Sequence, residues 1–179
     1  MRKRAKEKGK ERPLFEFPEK KKTKEFHPIR LFEKPGTKYK ISCGAIIYNI
    51  DRQIYYLLLK YPTYWGFVKG EVEPGETEEQ TINRETAEEA GLYDLQIFPH
   101  FRETQHYFYK FQGQLIRKDA VYFIAKTNSW KIKISHEHEN YKWCTYEEAL
   151  KLMKIRANRE LLTKANIFLH EYYKQRKLF

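Results

Sequence analysis

Between Gly70 and Leu92 the chain reads GEVEPGETEEQTINRETAEEAGL, with eight glutamates, one base (Arg84) and a local charge of −7. The 179-residue chain as a whole carries +11, so negative charge is concentrated here against the overall balance. In a helix, at about 100° per residue, Glu85 and Glu89 fall about 40° apart, with Glu88 about 60° to the other side. Three carboxylates then share an arc of roughly 100°. Like charges at these spacings each destabilise a helix by ~0.2–0.5 kcal/mol. One arginine does not neutralise three acids, whereas a divalent cation would, and all-oxygen donors suit magnesium or manganese. The plain reading of a glutamate-rich helix is a solvated acidic face. The fixed spacing, together with the preceding glycine–proline–glycine frame (Gly70, Pro74, Gly75), argues against that here. Lys69, immediately before the segment, is placed to meet a phosphate as a point charge, although a surface lysine would look the same in sequence.

Several elements must position these groups. Thr77 and Gln80 have capping-box spacing, and Gly91 stands where helices commonly end, so the acids ride on a helix starting at Thr77. Ile41–Tyr48 and Ile54–Leu59 are β-prone runs split by Asn49–Gln53, a first hairpin. An aromatic loop follows, with Tyr61, Tyr64, Trp65 and Phe67. Gln105–Phe111 and Leu115–Lys126 read as a second hairpin about Gln112–Gln114. A further strand is expected over Lys131–Ile134, and Tyr141–Cys144 pairs with the sheet. Helices then cover Tyr146–Met153 and Asn158–Tyr173, the last with Leu161, Leu162, Ala165, Leu169 and Tyr172 on one face. The class is α+β, a mixed sandwich with helices on the sheet faces.

Mean hydropathy is −0.83 and no apolar run approaches the ~20 residues of a membrane span. The opening MRKRAKEKGKERP lacks the apolar stretch of a secretory signal. Two cysteines, Cys43 and Cys144, make no disulfide framework or zinc site. A soluble, cytoplasmic protein without membrane contact is the expectation. Residues 1–40 hold 15 Lys/Arg and 6 Asp/Glu, so +9 of the +11 sits in a basic N-terminal arm. We divide the chain into this extension, 1–38, partly disordered, and a folded domain, 39–179. Such an arm is either an RNA contact through phosphates or a solubilising tail, and composition does not separate the two.

Gly70, Glu76, Arg84-Glu85, Glu88-Glu89, Gly91 and Leu92, at these gaps, resemble the full signature of the Nudix hydrolases. Thr86 departs from it, standing where an aliphatic residue is usual. The resemblance implies an α/β/α sandwich with a mixed sheet and hydrolysis of a nucleoside diphosphate linked to another group. It implies that Glu85, Glu88 and Glu89 bind magnesium or manganese, that the Gly70 carbonyl adds a ligand, and that Glu76 and Arg84 brace loop and helix. The logic is physical as well. Metal neutralises pyrophosphate charge that repels hydroxide and makes bound water more acidic.

Residues 42–48 (SCGAIIY), Trp65, the Pro-Gly-Glu-Thr and Arg-Glu-Thr phrases, Ile134–Trp143 (ISHEHENYKW) and Tyr146–Ala149 are similar to asymmetric diadenosine tetraphosphate hydrolases, over about Tyr39–Leu152. Val68 replaces the proline usual in that group. This likeness implies that Glu137 faces the metal cluster, as ligand or as proton acceptor from water, so Glu85, Glu88 and Glu137 are the candidate catalytic acids. It also places Tyr107 and Tyr122 at aromatic positions near the nucleotide, for base stacking. With 14 Tyr and 12 Phe, many aromatics must simply be core. In an extended segment His136 and His138 would point away from Glu137, one to phosphate and the other to packing or solvent. No further Cys or His completes a zinc site there.

The expected activity is cleavage of a nucleoside polyphosphate, diadenosine tetraphosphate to ATP and AMP. Two rivals stand: removal of pyrophosphate or a cap from RNA 5′ ends, which the basic arm motivates, and a non-catalytic module on a ribonucleoprotein. A box that retains every acid disfavours the last.

Overall fold

The structure is a computed structural model that describes residues 37–176. The arm expected over 1–38 lies outside these residues except at its end. A mixed sheet forms the middle layer. Its strands are β1 (Lys38–Ile50), β2 (Ile54–Lys60), β3 (Trp65–Gly66), β4 (Val68–Glu71), β5 (Gln96–Phe111), β6 (Gln114–Lys126) and β7 (Asn140–Cys144). The order is β3-β2-β1-β6-β5, with β4 also paired to β1 and β7 to β2. β1 runs parallel to β6 from Lys38↔Ile116 to Tyr48↔Lys126, and the other pairings are antiparallel. Both expected hairpins are present, β1–β2 and β5–β6, the second turning at Gln112–Gly113 with both residues at positive φ.

Because β1 is buried on both faces, its residues alternate between two cores. Ile46 and Tyr48 join Tyr56, Leu58, Tyr122 and Ile124 beneath α2 (Tyr146–Leu152) and α3 (Arg156–Arg176). Cys43, Ala45 and Ile47 join Val121, Ala125 and Ile82, the last on α1 (Glu78–Ala90). Helix, sheet and helices make the expected three layers.

α1 begins with the expected capping box. The Thr77 hydroxyl accepts from Gln80 N–H, and the Gln80 side chain accepts from Thr77 N–H. It ends at Gly91 with φ 66°, where a side chain would be strained. Thr86 is fully buried on the inner face of this helix and its hydroxyl has no hydrogen-bond partner among the described residues, a cost an aliphatic residue would not carry.

The strand expected over Lys131–Ile134 is absent. The segment instead lies across the end of α1, where Lys133 N–H donates to the Ala90 carbonyl at 3.0 Å and Ser135 N–H to the Glu89 carbonyl at 3.2 Å. The last carbonyls of a helix lack partners within it, and they take these donors in place of a sheet ladder.

Candidate active site

β4, α1 and the loop at 134–139 meet at the carboxylates. β4 pairs with β1 so that Gly70 faces Cys43 and lies under α1. A Cβ at Gly70 would fall inside the Glu85 carboxyl, so only glycine lets helix and strand approach this closely. Glu85 is 9% exposed and Glu89 5%, while Glu88 stands outward in solvent. The shared arc thus divides into two inward acids and one at the rim.

Arg84 does more than the sequence indicates. Its Nε and Nη2 donate to Glu76 at 2.8 and 3.0 Å, and Nη2 also reaches the Glu71 carbonyl at 3.0 Å. Its Nη1 donates to Glu85 at 2.7 Å and to Glu88 at 3.3 Å. One guanidinium therefore serves three carboxylates. Glu76 also accepts from the Thr81 hydroxyl and from Glu73 N–H, which ties the loop to the helix. Arg84 above all holds the Glu76 carboxyl down at about 2. Burial pushes the Glu85 carboxyl up, against the pull of Arg84.

Glu89 lies beyond that clamp. Its Oε2 faces Lys69 N–H at 3.3 Å and the Tyr61 hydroxyl at 3.5 Å. The Lys69 ammonium sits 4.4 Å over the Tyr61 ring and 3.4 Å from its hydroxyl. Burial lowers the Lys69 pKa, and the charges of Glu89, Glu85 and Glu137 oppose that shift. Lys69 is thus a half-buried cation amid the candidate metal ligands.

Among the described residues no three acidic or imidazole groups converge into a ready coordination shell. Arg84 holds Glu85 and Glu88 while Glu89 turns toward Lys69, so the acids are neighbours rather than a preformed cage. Their hard oxygen donors nevertheless fit a divalent cation, since Glu85 and Glu89 are buried with little positive charge beside Glu89 other than Lys69.

Residues 134–139 do not extend, so the expected alternation fails. His136 and Glu137 occupy a turn, closed by His138 N–H to the Ser135 carbonyl at 3.3 Å. Both are exposed, and His138 turns inward, edge-on to the Tyr61 ring at 4.5 Å.

The two candidate stacking residues separate. Tyr107 is 37% exposed, whereas Tyr122 is 3% exposed and packs edge-on against Phe67. Core packing occupies the Tyr122 ring, which leaves Tyr107 as the exposed platform. Opposite Tyr107 in the ladder is Lys118, half-buried and 3.6 Å from Glu71, a cation on the site face that sequence reading passed over. Lys40 pairs with the same Glu71 at 2.8 Å. The alternation of β6 places Lys118 on the Tyr122 side, and that was the available signal. Tyr61 and Tyr64, stacked at 4.6 Å, form the neighbouring wall.

The NUDIX domain family model matches residues 38–165. The chain belongs to the NUDIX family. It is a hydrolase acting on pyrophosphate bonds. A Caenorhabditis elegans asymmetrical bis(5'-nucleosyl)-tetraphosphatase is 37% identical over 133 residues, 72% of this chain and 95% of that one. A crystal structure of a C. elegans Ap4A hydrolase binary complex superposes with a TM-score of 0.65 at 37% identity, covering 74% of this chain and 98% of that one. An RNA pyrophosphohydrolase of Pseudoalteromonas translucida is 29% identical over 126 residues, 60% of this chain and 72% of that protein. Among the described residues no helix is long and apolar enough to cross a membrane.

Proposed function

We propose that this NUDIX hydrolase cleaves diadenosine tetraphosphate asymmetrically, to ATP and AMP. The observation that carries the site is the half-buried Lys69, whose N–H meets Glu89 Oε2 at 3.3 Å and whose ammonium lies 4.4 Å over the Tyr61 ring. The choice of substrate rests on the likeness to the asymmetrical tetraphosphatase over nearly its whole length.

Magnesium or manganese would be held by Glu85, Glu88, Glu89, Glu137 and the Gly70 carbonyl. When bound, it supplies charge neutralisation of the polyphosphate and a more acidic water. Lys69 neutralises a phosphate oxygen beside those acids, and its fixed position spares the transition state any reorganisation. Glu137, exposed at the mouth, accepts the proton of the attacking water, with Glu85 and Glu88 as the other candidate bases. Tyr107 offers one face to an adenine, and Lys118, opposite it in the ladder, meets the far phosphates. Arg84 and Glu76 keep β4 and α1 in register throughout.

Chromatography of products after incubation with diadenosine tetraphosphate and magnesium tests this reading. ATP plus AMP is the expected result, and two ADP would overturn it. A second reading, pyrophosphate removal from RNA 5′ ends, is favoured by the +9 arm and the likeness to an RNA pyrophosphohydrolase. If a chain beginning at Phe26 turns over RNA with unchanged salt dependence, the arm lends that reading no support.

A further inference from the structure

The carboxylate helix and the remote loop meet at a side chain to which the reading above gives no role. The His138 side chain has no exposed surface, and neither ring nitrogen makes a hydrogen bond among the described residues. Buried polar groups are nearly always bonded, so an orphaned imidazole asks for a reason. The Tyr61 ring, 88° to the imidazole at 4.5 Å, fixes its plane. That plane sets Nε2 3.3 Å from Glu89 Oε2, close but off the line of a good hydrogen bond. Lys69 N–H and the Tyr61 hydroxyl face the same oxygen, at 3.3 and 3.5 Å. The contacts around Glu89 therefore gather at Oε2.

We propose that His138 is a positioning residue for Glu89. Its Nε2, 3.3 Å from Oε2, is placed to hold the carboxylate so that Oε1 is presented to a divalent cation. This rests on the metal reading above and adds a residue to it. The backbone reinforces the link. His138 N–H closes the turn that carries Glu137, and Ser135 N–H in that turn grips the Glu89 carbonyl. One short loop thereby sets both Glu89, through the ring, and Glu137, through the turn.

The test is Mn2+ titration of the full chain without substrate, followed by the loss of the free-ion electron paramagnetic resonance signal. His138→Phe keeps a ring against Tyr61 but removes both nitrogens. It is expected to weaken Mn2+ binding about 10- to 100-fold, the usual effect of removing a group that orients a ligand, with little change in melting temperature. His138→Gln restores a donor at similar reach and is expected to recover most of the affinity. Parental affinity in His138→Phe, or equal loss in both variants, overturns the role. If His138→Phe does not fold, His138→Gln decides alone, parental affinity supporting the role and a full loss overturning it. Glu89→Gln separates this from the underlying reading. If it binds Mn2+ as the parent does, or the parent binds none, the metal assignment itself falls. A loss in Glu89→Gln beside normal binding in His138→Phe removes only His138.

Discussion

The two ends of α1 treat a carboxylate in opposite ways. At the start, Glu76 receives Arg84 twice, at 2.8 and 3.0 Å, and also the Thr81 hydroxyl at 2.8 Å and Glu73 N–H at 3.1 Å. The positive end of the helix dipole favours it further. At the finish, Glu89 is buried at the negative end, where among the described residues its donors come no closer than 3.3 Å and the imidazole beside it makes no hydrogen bond. The first arrangement is complete in itself and does a mechanical job. The second has fewer and longer contacts, with Lys69 as its neighbouring cation. On the function proposed above, stability and metal affinity belong to different turns of the same helix.

Changing the unfinished end should have the largest effect on rate. Glu89→Gln keeps shape and removes the charge, so kcat is expected to fall at least about 100-fold with the fold intact. Steady-state kinetics beside a melting curve checks this, and parental turnover would erase the contrast between the two ends. At the finished end the effect should move to stability. Arg84→Ala leaves Glu76 and Glu85 without their main donor, and a loss of about 1–3 kcal/mol is expected, several degrees in thermal melting. A melting temperature equal to the parent's would show that the clamp holds nothing.

The finest test is acid titration. The Glu76 carboxyl is held at about 2 in the fold against an ordinary value of 4.5. The folded state therefore binds this proton less readily than the unfolded state. The stability it contributes is complete above about pH 4.5 and lost as pH falls toward about 2. Glu76→Gln should melt at a lower temperature near neutrality and show a flatter pH dependence across that window. Parallel curves for the two proteins would mean that the clamp does not act through this charge.

Features set by neighbours in sequence were legible in it. Thr77 with Gln80, Gly91 and both hairpins depend on local spacing, and each stands where the spacing put it. The carboxylate frame was legible for the same reason, with Gly70 explained only once the Glu85 carboxyl is seen against it. What sequence missed depended on distant partners. Lys131–Ile134 has strand-like composition, but its backbone donors were taken by the end of α1. His136 and His138 separate because residues 135–138 turn, and no periodicity announces a turn without glycine or proline. Tyr107 and Tyr122 look alike in sequence, and only the packing of Phe67 decides which ring is covered. Arg84's reach to Glu76, Glu85 and Glu88 together needed the loop folded back on the helix.

The bonds from Lys133 and Ser135 to the end of α1 also bear on how the molecule assembles. During synthesis the acidic helix emerges well before the loop that closes it, with its final carbonyls open to water and its like charges repelling one another. A nascent chain that ends before Ser135 therefore carries every residue of the signature and still lacks the contacts that hold Glu89. Non-local closure of this kind is slow relative to helix formation. Closure around Glu89 then waits on this non-local contact, and hydrogen exchange at the Lys133 and Ser135 amides would report when it forms.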